Sequence, residues 1–141
     1  MARSSGLSEG SHWLTPGERL LIEVHAAGVG FVDHLICRCE YQIRPPLPFV
    51  PGLEVAGVVR SAPEGSGFEE GMRVALETAF GGWAELVAAP AFLVMPLPDA
   101  TSIDAGAGFV VNFQTAHLAL TRRGRLAEGE AVLVHGAGGG V

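Results

Sequence analysis

The sequence predicts a mainly β fold: a small antiparallel barrel or sandwich, one helix, then the first strand of a parallel α/β domain. Three observations carry this. Residues 19–95 hold about five short apolar stretches separated by Gly- and Pro-rich turns, at the spacing of an antiparallel sheet. Residues 101–125 change to a helical period. Residues 131–135, Ala-Val-Leu-Val-His, form an apolar run that enters four glycines within positions 136–140. The 20 glycines and 9 prolines among 141 residues also favour short strands and turns over long helices.

Each element has its own signal. Thr15-Pro16-Gly17-Glu18 is a turn. In Arg19–His25, Leu20, Ile22 and Val24 share one face, so the stretch reads as a half-buried strand. Small residues 26–30 allow close backbone approach, and Phe31–Arg38 reads as a short helix with Asp33 in its first turn. Prolines 45, 46, 48 and 51 make Tyr41–Pro51 extended and exclude it from a sheet interior. Strands follow at 55–59, 72–76, 83–88 and 92–95. Thr101-Ser102 offers a helix N-cap and Arg122-Arg123-Gly124 an end. Phe109, Phe113, Ala116 and Leu120 recur at helical spacing between them, although Gly106 and Gly108 each weaken that helix by roughly 1 kcal/mol relative to Ala. Residues 131–135 are expected as a buried strand.

Net charge is −6, and the one basic cluster is Arg122, Arg123 and Arg125. That argues against a nucleic-acid or anionic-membrane surface. No run reaches the ~20 apolar residues of a membrane span, and residues 1–14, Ser- and Gly-rich, lack the apolar core of a secretion signal and are expected to be poorly ordered. Cys37 and Cys39 do not suggest a disulfide framework, so a cytoplasmic location is expected. His34, Cys37, Cys39 and Glu40 cluster in sequence, but Cys-x-Cys is not a standard zinc spacing, and no metal site is expected.

The glycine run has a specific physical reading. A pyrophosphate needs backbone N–H groups at a helix N-terminus, with side chains out of the way. Gly136, Ala137, Gly138, Gly139, Gly140 and Val141 follow an apolar run, which is the context such a turn requires. No Gly-Lys-Ser/Thr follows, so a Walker phosphate loop is disfavoured.

A family resemblance then emerges. It rests on Ala26-Ala27-Gly28-Val29-Gly30-Phe31-Val32-Asp33, on Tyr41, and on Pro45-Pro46-Leu47-Pro48-Phe49-Val50-Pro51-Gly52-Leu53-Glu54. It continues through Gly71-Met72-Arg73-Val74, Gly81-Gly82-Trp83-Ala84-Glu85, Thr115-Ala116 and Gly129–Ala137. In order and spacing, these resemble the zinc-independent quinone oxidoreductases of the medium-chain dehydrogenase/reductase superfamily. The resemblance implies a GroES-like partly open β-barrel at 15–100, a connecting helix at 101–125, and the start of a truncated Rossmann domain at 126–141. It implies NADPH, no zinc, a quinone or α,β-unsaturated carbonyl as substrate, and a homodimer at full length. Tyr41 is then expected near the nicotinamide and substrate, and Thr115 and the 136–141 turn at the cofactor. Zinc-dependent relatives place Cys near position 30 and His after the Pro-Gly pair, where this chain has Gly30 and Leu53. Zinc-independent relatives favour Asn at position 30, so that amide is missing here. Two other readings stand beside this one: an enoyl reductase acting on acyl thioesters, and a non-catalytic remnant or GroES-like binding module. Because a lone strand and turn cannot complete a βαβ unit, the 141-residue chain alone is expected to show no measurable NADPH binding. A fluorescence titration checks this, and micromolar affinity would contradict it.

Overall fold

The computed structural model describes residues 19–141. The expected turn at 15–18 and the segment 1–14 lie outside the described residues. Five strands, β1 (Arg19–Ala27), β2 (Glu54–Ser61), β3 (Arg73–Glu77), β4 (Leu86–Pro90) and β5 (Val94–Pro96), form one sheet. Its order is β4-β1-β2-β3-β5, and every pairing is antiparallel. The sheet curls into a half-barrel, in keeping with the partly open barrel expected from sequence. Both edges end in proline, at Pro90 and Pro96, where a missing N–H costs no ladder bond. Helix α1 (Phe31–Cys37) leaves β1, and α2 (Ile103–Ala107) and α3 (Val110–His117) follow the sheet.

Alternation along the strands splits the core in two, because successive side chains point to opposite faces. Leu20, Ile22, Val55, Val59, Val74 and Leu76 fill one face. Ala56 and Ala75 occupy the other face, against Ala107 and Val110. Alanines there let α2 come close to the sheet. A β-carbon on Gly106 would stand 2.8 Å from Leu97 Cδ1 and 3.3 Å from Ala56 Cβ. Arg73 fixes the entry to α2 by donating to the carbonyls of Asp99 and Thr101. Ser102 caps that helix, accepting from the Ala105 N–H at 3.1 Å.

Four expectations need correction. The strand predicted at 83–88 begins only at Leu86, because residues 81–83 are tied by backbone hydrogen bonds to Val50–Gly52. The strand predicted at 92–95 starts with a 3₁₀ turn at Ala91–Leu93. The single helix at 101–125 is two helices interrupted at Gly108-Phe109, followed by wider π-type turns over Leu118–Arg123. Helix α2 packs on the sheet at Gly106 and ends at its C-cap Gly108, and α3 starts afresh. Finally, residues 131–135 are neither strand nor buried, and Leu133 is 80% exposed. A strand exists only through partners. The five strands pair with one another, and among the described residues none pairs with this run.

The contrast between the sheet core and this run is measurable. Leu76→Ala is expected to lower the unfolding free energy by about 2–5 kcal/mol in urea denaturation. Leu133→Ala is expected to change it by less than about 0.5 kcal/mol.

Candidate functional site: the glycine turn and its support

The strand-to-helix passage Gly28–Asp33 is organised by two carboxylates. Asp33, 2% exposed, reaches back from the first turn of α1, and its Oδ2 accepts from the Gly30 N–H at 2.9 Å. That is one half of a capping box, and it satisfies an N–H that helix formation leaves unpaired. Asp33 Oδ1 is buried without a hydrogen-bond partner. Glu54, 4% exposed, begins β2. Its carboxylate lies against Gly28, where a β-carbon would approach Glu54 Cγ and Oε1 to 2.6 Å and the Ala107 carbonyl to 2.7 Å. Only glycine leaves that space free.

Glu54 Oε2 accepts from the Val111 N–H at 2.8 Å. Val111 is the second residue of α3, whose preceding residue, Phe109, supplies no capping side chain. A carboxylate from the barrel thus takes the place of an N-cap and complements the positive end of the helix. Burial raises the Glu54 pKa above its ordinary value of 4.5; the Val111 N–H opposes this, and nearby Asp33 adds to it.

The next residue, Asn112, meets the glycine run. A β-carbon on Gly140 would stand 2.6 Å from Asn112 Oδ1 and 2.9 Å from Asn112 Nδ2. Bare backbone therefore lets the run lie on α3. The run itself turns at Gly136, whose φ is +71°, and the Gly139 N–H donates to the Gly136 carbonyl at 2.8 Å. The turn expected from sequence forms, without the strand expected before it.

Thr115 is exposed one helical turn beyond Asn112, its hydroxyl donating to the Val111 carbonyl at 2.6 Å. Tyr41 is half-buried in the proline-rich segment between α1 and β2. Among the described residues, no hydrogen bond joins Tyr41 to α3 or to the glycine turn. The structure thus brings Gly140 onto the helix that carries Thr115, while Tyr41 stands on a separate segment. Asn112 escaped the sequence reading. Its position three residues before Thr115, on the same helix face, was the available signal.

A loop network lies beside Gly28. Thr78 Oγ1 donates to the Gly52 carbonyl at 2.6 Å, and the N–H groups of Gly81, Gly82 and Trp83 donate to the carbonyls of Val50, Gly52 and Pro51. The Trp83 indole N–H donates to the Gly28 carbonyl at 3.0 Å. A shallow cleft of ≈ 350 Å³ opens here, lined by Val24–Ala27 and Gly82–Glu85, and none of the sequence-predicted site residues lines it. Among the described residues, no group of three His, Cys, Asp or Glu side chains could hold a metal ion, and no helix is long and apolar enough to cross a membrane.

Residues 16–99 match the alcohol dehydrogenase GroES-like domain. The chain belongs to that family. Over 125 residues it is 41% identical to rat quinone oxidoreductase, covering 87% of this chain and 38% of the relative. Over 123 residues it is 39% identical to the human synaptic vesicle membrane protein VAT-1 homolog-like, covering 86% of this chain and 29% of the relative. The structure of quinone oxidoreductase from Thermus thermophilus, solved also in complex with NADPH, superposes with a TM-score of 0.76 at 40% identity. It matches over 87% of this chain and 38% of that one. The chain thus resembles the N-terminal part of quinone oxidoreductases and spans less than half the length of these relatives.

The buried Glu54 carboxyl makes stability depend on pH. Because its pKa is raised in the folded state, its favourable contribution is complete below about pH 4.5 and is lost as pH rises through the folded-state value. Urea denaturation from pH 4 to pH 8 is expected to show wild type losing stability relative to Glu54→Gln as pH increases. Parallel curves would contradict the assignment.

Proposed function

We propose that this chain is the barrel and the first cofactor-contacting turn of an NADPH-dependent oxidoreductase that transfers hydride to a quinone or α,β-unsaturated carbonyl without zinc. The observation that carries the reading is the glycine turn lying on α3, with Gly140 against Asn112 and Thr115 one turn further on. The fit to a dinucleotide is local. Gly138, Gly139 and Gly140 present backbone without side chains, and at Gly140 the Asn112 carboxamide already takes the place a β-carbon would need, so only bare backbone can lie there. The kinship with quinone oxidoreductases, one of them solved with NADPH, supports the choice of cofactor.

The cofactor, when bound, supplies the hydride. The chain's own residues bind and orient. The backbone N–H groups of 136–141, other than that of Gly139, which the Gly136 carbonyl takes, would hold the phosphates, and Asn112 and Thr115 on α3 would shape the nicotinamide end. Tyr41 donates a hydrogen bond to the substrate oxygen as that oxygen gains charge. Gly30 carries no side chain and Leu53 an apolar one, so neither position where zinc-dependent relatives hold ligands can bind metal. A substrate oxygen must therefore be polarised by hydrogen-bond donors. Catalysis is then mainly a matter of positioning. The full-length protein is proposed to be a cytoplasmic homodimer.

A reading without catalysis is favoured by one observation. Phe109, Phe113, Leu126, Leu133 and Val134 are all exposed, so residues 109–141 alone bury little apolar surface. Turnover accordingly belongs to the full-length protein.

In the full-length protein, NADPH-dependent reduction of a simple benzoquinone is expected to proceed with chelator present. Tyr41→Phe is expected to lower kcat about 10–100-fold with KM for NADPH unchanged. Reduction abolished by chelator would overturn the zinc-free reading, and an unchanged kcat would remove Tyr41 from the mechanism.

A further inference from the structure

The helix that meets the glycine turn is not held by its own sequence. Its first turn has no capping side chain from Phe109, and Glu54, 57 positions earlier in the chain, accepts from the Val111 N–H instead. Glu54 is 4% exposed and pressed into the space left by Gly28, so its carboxylate has little freedom to follow the helix if the helix moves. Val111 is followed directly by Asn112, and Asn112 occupies the volume that a side chain at position 140 would need. The chain of contacts therefore runs from the start of β2, through the Glu54–Val111 hydrogen bond beside buried Val110, to the first turn of α3, and from the Asn112 carboxamide to the backbone of the turn.

We infer that Glu54 is a positioning residue for the cofactor turn, acting through the first turn of α3, and that Asn112 registers Gly140 against that helix. This rests on the dinucleotide reading of residues 136–141 and deepens it. Glu54 contacts neither cofactor nor substrate. It sets where Asn112 and Thr115 stand relative to the turn. Asn112 is half-buried on the surface of α3, so its side chain can be removed without opening the sheet core. A carboxylate that merely stabilised the barrel would leave the glycine turn and the cofactor affinity untouched.

Two measurements separate these roles. The first follows the backbone amide resonances of Gly138, Gly139 and Gly140 in the 141-residue chain by NMR. Asn112→Ala and Glu54→Ala are expected to shift the Gly140 signal. Glu54→Gln, which keeps a carbonyl oxygen for the Val111 N–H, is expected to leave it close to wild type. The second measures NADPH dissociation constants and quinone KM in the full-length protein. Asn112→Ala and Glu54→Ala are expected to weaken NADPH about tenfold with quinone KM unchanged, and Glu54→Gln to recover to within about twofold. If Glu54→Ala does not fold, Glu54→Asp, whose shorter side chain draws the carboxylate back from the Val111 N–H, is expected to shift the Gly140 signal in its place, and an unchanged signal there would remove Glu54 from the inference. Unchanged Gly140 resonances in Asn112→Ala, or equal NADPH affinity in wild type and Asn112→Ala, would overturn the inference. If wild-type full-length protein binds no NADPH, the dinucleotide reading fails instead, and the Gly140 resonances alone decide whether Glu54 and Asn112 position the turn.

Discussion

The hydrogen bond from the Val111 N–H to the Glu54 carboxylate joins the two parts of the described chain. On one side lies a sheet with a buried apolar core. On the other lie helices that lead to an exposed glycine turn. Glu54 belongs to the sheet by its backbone and to α3 by its side chain. A buried carboxyl is costly unless hydrogen-bonded, and an uncapped helix N-terminus is costly unless an acceptor is found. Each group meets the other's requirement. The arrangement also dictates glycine at position 28, since any β-carbon there would collide with Glu54 and with the Ala107 carbonyl.

The barrel was legible in the sequence because its physics is local. Alternating apolar residues named the buried faces, as Leu20 and Ile22 show, and prolines marked edges and extended segments. The Ser102 cap and the first-turn Asp33 followed from helix-terminus chemistry. What escaped depended on distant partners. The break between α2 and α3 requires knowing that Gly106 packs on Ala56 and Leu97. The run 131–135 has the composition of a buried strand, but composition supplies no neighbouring strand, and the run is exposed.

The candidate site divides in the same way. Four glycines in five residues named the turn at once, and the left-handed backbone at Gly136 follows from that composition. Glu54 stood in the sequence as the end of the proline-rich motif, with no sign of its partner. Nothing in a sequence connects position 54 with position 111 until the fold places β2 beside α3. Asn112 was invisible for a related reason, because its role arises from where Gly140 comes to rest. Tyr41 and Thr115 came from kinship with quinone oxidoreductases. The structure places Thr115 on the helix that meets the turn and Tyr41 on a segment of its own.

Amide hydrogen exchange reads directly whether barrel and helix are locked together at Glu54. The Val111 N–H is expected to exchange as slowly as the sheet amides of Val59 and Leu76, at least tenfold slower than an amide protected only by the end of a short helix. In Glu54→Ala that protection is expected to disappear while Val59 and Leu76 keep theirs. A Val111 amide that exchanges freely in the wild-type protein would contradict the account.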